Sequence, residues 1–214
     1  MAQQPDIFIE NLVNDLKPVR PLHPRIGLRR AVFAMLAGVG VLAMLMQLRP
    51  DIASGQPGAM FLTSSGLFLV LALASAWAAL DMARPYVGVR RSGWGWTALM
   101  AAVLPVAALG VIATSLIRGE AVELDMGGLH CLITGCAVGL ITAVTLVTWL
   151  RRGAPSSPER ASLLTGVASG AAGVFAVSLY CPSNDLVHIG VWHGGTVILM
   201  GIAGRFGLRR LLAW

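Results

Sequence analysis

Charge is scarce in this chain. Asp, Glu, Lys and Arg make up 12% of its 214 residues, against roughly 25% in an ordinary soluble domain, while 56% of residues are apolar and mean hydropathy is +0.75. The shortage excludes a water-soluble globular domain and implies an integral membrane protein. No ionisable residue is expected deep inside any apolar run, and ion pathways and proton relays depend on such residues, so a transporter is disfavoured. Cysteine is scarce too: Cys131, Cys136 and Cys181 are all there is. None forms the Cys-x-x-Cys pair typical of thiol oxidoreductases, and Cys131 and Cys136 would project about 140° apart on an α-helix. No segment gathers a nucleophile, a base and an orienting acid, so no catalytic residue and no cofactor is expected. The polar stretch before Ala31 has no small-residue cleavage site after the following apolar run, which argues against a cleaved signal peptide.

What the chain has is long apolar runs. A membrane helix needs about 20 mostly apolar residues, and six charge-free windows can each hold one, at approximately 31–48, 60–80, 96–117, 127–150, 161–181 and 186–204. The expected fold is therefore all-α: a polytopic membrane protein whose residues 31–214 form a bundle of six transmembrane helices, preceded by a 1–30 tail. Pro105 falls inside the third run, where it should kink the helix; membrane helices tolerate this because neighbours re-satisfy the freed carbonyl.

The basic residues are distributed unevenly. Lys17, Arg20, Arg25, Arg29 and Arg30 precede the first run, Arg84, Arg90 and Arg91 follow the second, Arg151, Arg152 and Arg160 follow the fourth, and Arg205, Arg209 and Arg210 follow the sixth, placing fourteen of sixteen on one side. Arg49 and Arg118 lie in turns that also hold Asp51, Glu120, Glu123 and Asp125. By the positive-inside rule both termini are cytoplasmic and Cys131, Cys181 and His188 face outward. The net charge of +6 is thus a topology signal; scattered over four juxtamembrane sites, it forms no patch for direct nucleic-acid binding.

Within the tail, Ile9, Leu12, Val13 and Leu16 recur at i, i+3, i+4, i+7, with Asp6, Glu10, Asn14 and Asp15 elsewhere around the wheel, which predicts a short amphipathic helix. Helices this short are marginal alone in water. A lipid surface selects basic polar faces, and this one is acidic, so a groove on a partner protein suits the apolar stripe better. Pro18, Pro21 and Pro24 are expected to end the helix and extend the connection to the membrane.

In the second half, small residues recur four apart: Gly135 and Gly139, Ser162, Gly166 and Gly170, Gly190 and Gly194. That spacing lets helices approach closely in lipid and predicts a tight antiparallel sub-bundle of the last three spans, with Cys131, Cys181 and His188 together at its outer mouth. Their depths should differ by roughly 6 Å, and a direct disulfide requires Cα atoms within about 7 Å. The thiols can serve as a structural disulfide, as a redox or metal sensor, or as an inert pair; thiolate with imidazole is a soft ligand set suited to zinc-like and heavier metals. Cys136, deeper in its helix, reads as a buried small hydrophobe. His188 and His193 can add nitrogen ligands, although interfacial histidines commonly only hydrogen-bond; of the two, only His188 is expected at the mouth.

The segment Leu12-Val-Asn-Asp-Leu-Lys-Pro-Val-Arg-Pro-Leu22, followed by basic residues, six apolar spans and cysteines at 131 and 181, resembles the NrsF family of bacterial inner-membrane anti-sigma factors. The resemblance runs essentially the whole length. It implies a multi-pass protein that holds a cognate extracytoplasmic-function sigma factor through its tail, with Ile9, Leu12, Val13, Asp15, Leu16, Pro18 and Arg20 as contacts. Release would follow heavy-metal or oxidative stress perceived by Cys131 and Cys181. The competing expectation is a thiol- or metal-handling membrane protein, either an oxidoreductase or a transporter.

Overall fold

The computed structural model describes residues 9–10, 13–14, 22–84, 94–121, 125–153, 155 and 157–212. Among these every regular element is helical, and six helices are long and apolar enough to cross a membrane: α1 (Pro24–Leu45), α2 (Ala59–Met82), α3 (Trp94–Ile117), α4 (Gly128–Leu150), α5 (Pro158–Ser178) and α6 (Leu186–Leu212). They alternate in direction. One end of the bundle gathers Arg30, Arg152, Arg205 and Arg209 and is called the basic end here; Cys131 and Cys181 mark the other, the thiol end.

The helices outrun the charge-free windows. α1 begins at Pro24, upstream of Ala31, because proline at the first helical position has a preset φ and no N–H to lose. Pro24 therefore starts the first membrane helix instead of stiffening an extended lead-in. α5 likewise starts at Pro158 and stops at Ser178, and α6 continues through Arg205, Arg209 and Arg210 to Leu212. Lack of charge measures the hydrocarbon crossing, whereas a helix can continue into the interface with its arginines snorkelling.

α5 is the axis of the bundle. Of its apolar window 89% is buried, against 11% for α3, so it is packed all round, as a helix with no polar face must be. Its buried hydroxyls turn back onto their own helix: Ser162 donates to the Pro158 carbonyl (2.6 Å), Thr165 to Ala161 (2.7 Å) and Ser169 to Thr165 (2.7 Å). None is left to be satisfied by lipid or by a neighbour.

The small-residue stripes of α4 and α5 lie where the spacing puts them, between α4, α5 and α6, whereas Gly190 and Gly194 of α6 face Leu104, Pro105 and Ala108 of α3 instead of the expected seam. A side chain at Gly139 would stand 2.6 Å from the Ser169 carbonyl oxygen, one at Gly170 would stand 2.9 Å from Val197 Cα, and one at Gly173 would meet the Gly135 backbone. α2 also runs along α5, its Ala76 and Ala79 packed in one core with Ala161 and Ala168. α3 rests on the start of α6, where the Pro105 ring seats 2.7 Å from where a Gly194 side chain would begin.

At the basic end, α1 is locked to the end of α4. Gly27 admits the Trp149 indole, and the Arg30 guanidinium lies 4.9 Å from the centre of that ring with Arg152 at 5.9 Å. Glu159 at the head of α5 binds Arg205 (2.6 Å) and Arg209 (3.0 Å) of α6. Each contact joins neighbours by charges that stay near the interface.

Candidate functional site

Cys131 lies on the first turn of α4. Cys181 follows the end of α5, where Tyr180 and Cys181 both donate backbone N–H bonds to the Val177 carbonyl, so the last turn tightens and delivers the thiol inward. Asp185 then caps α6, its side chain accepting from the His188 N–H at 2.7 Å, as an N-cap carboxylate does for an otherwise orphaned donor. The segment Ser183-Asn184-Asp185 thus turns the chain from α5 back into α6.

One sulfur from Cys131, one from Cys181 and one imidazole nitrogen from each of His188 and His193 all lie within 4.8 Å of one another. Cys181 Sγ is 3.4 Å from His188 Nε2, and the two imidazole rings meet edge-on at 5.4 Å. Cys181, His188 and His193 are buried, and Cys131 alone is partly open. All three cysteines are free thiols, and Cys136 stands outside the cluster.

His193 joins by a departure from α-helical geometry. On an α-helix residues five apart point about 140° away from each other. Residues 189–193 form a π turn, with the Gly194 N–H bonded to the Ile189 carbonyl five residues back. The wider turn brings positions five apart towards one face, and single π turns are frequent at functional sites. An α-helical count therefore leaves His193 away from the mouth. The sequence signal that could have corrected it is the glycines at 190, 194 and 195, which free this segment to bulge and to press on Pro105.

Two further residues hold the cluster. Asp125 accepts from the Gly127 N–H (2.8 Å) and places its other oxygen 3.4 Å from His188 Nδ1. Arg49, 4% exposed, forms a two-pronged pair with Asp51 (2.9 and 2.8 Å) and donates to the Cys181 carbonyl and to Asn184 Oδ1, both at 2.9 Å. Its guanidinium covers the Phe61 ring, and its backbone N–H reaches the Leu179 carbonyl at 3.2 Å. Sequence reasoning read Arg49 only as a loop charge; in the fold it ties the α1–α2 turn to the cysteine loop. A hydrogen bond from Cys131, with help from the His193 imidazole and the Ser183 backbone, holds the Cys181 thiol below the ordinary thiol range despite its burial.

Of the tail residues, Ile9 and Val13 are helical and exposed. Leu12, Asp15, Leu16, Pro18 and Arg20 lie outside the described residues.

The sequence profile described as NrsF, negative regulator of sigma F, matches residues 12–214. The chain belongs to this family. Among curated proteins, the anti-sigma-F factor NrsF of Caulobacter vibrioides (strain NA1000 / CB15N) is 30% identical over 216 residues, spanning 98% of this chain and 99% of that protein. No solved structure matches. Within the NrsF family, then, this chain is an anti-sigma negative regulator carried on a bundle with six candidate membrane spans, and Cys131, Cys181, His188 and His193 meet at the end opposite Pro24, where α1 begins.

Proposed function

We propose that the chain holds an extracytoplasmic-function sigma factor at the bacterial inner membrane through its N-terminal tail and releases it when Cys131 and Cys181 encounter heavy-metal ions or oxidants from the periplasm. The convergence of two thiols and two imidazoles at one end of the bundle carries this reading. The cluster is chemically reactive through one partly open thiol and one thiolate-prone thiol, and it lies at the end of the bundle opposite Pro24, where α1 begins, which suits a detector more than a capture surface. The role is regulatory and non-enzymatic. The tail would lay Ile9, Leu12, Val13 and Leu16 into an apolar groove of the sigma factor, with Asp15 facing its basic residues and Pro18 and Arg20 flanking the contact.

The test separates sensing from holding. In cells carrying a sigma-dependent reporter, Cys131→Ser or Cys181→Ser should leave the reporter silent at rest and reduce its induction by cadmium to the uninduced level. Cadmium induction equal to wild type in both variants refutes the sensing role. Orientation has its own test: a reporter active only in the periplasm, fused after Trp214, should give no signal, and a signal there overturns the placement of both termini in the cytoplasm.

A further inference from the structure

We propose that Cys131, Cys181, His188 and His193 bind a resident zinc-like divalent cation in a closed tetrahedral site, with Asp125 positioning His188. As a regulatory device the site rests on the sensing role above; as a metal site it stands without it.

The donors are two sulfurs and two imidazole nitrogens, the set that selects zinc over oxygen-seeking magnesium or calcium. A tetrahedron with arms of about 2.0–2.3 Å has edges of about 3.3–3.8 Å. The Cys181 to His188 edge is already 3.4 Å. The widest spacing in the cluster, 4.8 Å, closes to that range by a movement of about 1 Å, within the reach of side-chain torsions. Burial agrees with charge. Two thiolates cancel a divalent ion, so the loaded centre is neutral and avoids the penalty of enclosing a net charge.

The histidines add an independent sign. His193 is 3% exposed and its Nε2 has no hydrogen-bond partner, while His188 Nδ1 stands near Asp125 without hydrogen-bond alignment. Buried imidazoles rarely leave nitrogens unmatched, and ligation by an ion would draw both rings inward. The carboxylate behind His188 has the placement of the outer partner that orients metal-bound histidines. Four protein ligands fill a tetrahedral ion and leave no position for a substrate or a reactive water. Such a centre ties α4, the α5–α6 loop and α6 together. Binding sends the thiol protons to solvent, so affinity falls as pH drops.

The experiment uses full-length protein purified in detergent without chelator. Elemental analysis should find about one zinc per chain. Cys131→Ser, Cys181→Ser and His193→Ala should each lose it, and Cys136→Ser should keep it. Because buried variants can fail to fold, wild-type protein stripped by chelator is titrated with cobalt(II). One equivalent should develop the absorption of a tetrahedral thiolate-bound ion, and Asp125→Asn, altered at an exposed carboxylate, should weaken cobalt binding about ten-fold or more. Wild-type protein with no zinc and no such spectrum, or a spectrum unchanged by Cys181→Ser, overturns the site. Metal binding without any cadmium response in the reporter supports the site while refuting the sensing role; a cadmium response with neither zinc nor cobalt bound does the reverse.

Discussion

Gly173→Ala is expected to destabilise the bundle by about 2 kcal/mol, an overpacking cost of roughly 3 kcal/mol offset by about 1 kcal/mol of helix propensity. A methyl group there would stand 3.0 Å from the Gly135 carbonyl carbon and 3.0 Å from the Gly139 nitrogen. Backbone atoms cannot rotate aside, so α4 and α5 must separate. Gly166→Ala drives the same wedge into α6, 2.9 Å from the Met200 carbonyl carbon and 3.0 Å from Gly201 Cα. The two sites face different helices, so the double variant should lose about 4 kcal/mol, much of the 5–15 kcal/mol that folded proteins commonly possess. Gly66→Ala is the control: nothing lies within 4 Å of that position, and its sign should reverse. Unfolding of purified protein by titration with denaturing detergent gives the ordering directly. If Gly166→Ala combined with Gly173→Ala unfolds at the wild-type midpoint, the glycine seam does not hold these helices together.

Leu12→Asp combined with Leu16→Asp should nearly abolish capture of the sigma factor. Burial of one leucine side chain is worth about 1.5–3 kcal/mol, so the pair removes roughly 3–6 kcal/mol, a weakening of about 10²–10⁴-fold, before counting the charges introduced. The bundle should be unaffected, because the substitutions lie in the tail. Pull-down of the sigma factor by full-length protein in detergent reads the loss, and zinc content on the same sample reports the bundle. Capture at wild-type affinity by the double variant would move the interface away from this stripe.

The reach of sequence reasoning follows from which physical quantity each feature expresses. Absence of charge is what lipid selects, so the six crossings are legible from composition alone. Close backbone approach requires small residues at fixed spacing, so the packing of α4, α5 and α6 is legible from Gly135, Gly139, Gly166 and Gly170. The company of Cys131 and Cys181 then follows. The ends of α1 and α6 do not, because Arg25 and Arg209 break the hydropathy signal without breaking the helix. The packing of α2 on α5 is carried by alanines such as Ala76 and Ala79, which are too common to mark a contact. His193 is hidden by the π turn, since the period used to sort residues onto faces is the very quantity that changes there. Arg49 is missed for another reason: its partners Cys181 and Asn184 are distant in sequence, and only the fold brings them together.

Arg49 also bears on how the chain is inserted. In the proposed orientation, with the thiol end outward, the α1–α2 turn would be carried across a membrane that is electrically negative inside, and each uncompensated positive charge would do so against about 2.3 kcal/mol per 100 mV. The two-pronged pair with Asp51 makes that turn electrically neutral, so the hairpin crosses without working against the field. The hydrogen bond from Arg49 also holds the Asp51 carboxyl below its ordinary range, and a carboxylate shifted in that direction is lost only as pH falls through its lowered value. The pair therefore remains neutral in acid that would protonate an ordinary aspartate. The same fork that steadies the Cys181 loop in the finished fold would let an arginine lie at the end that the proposed orientation turns outward, where the positive-inside rule disfavours one.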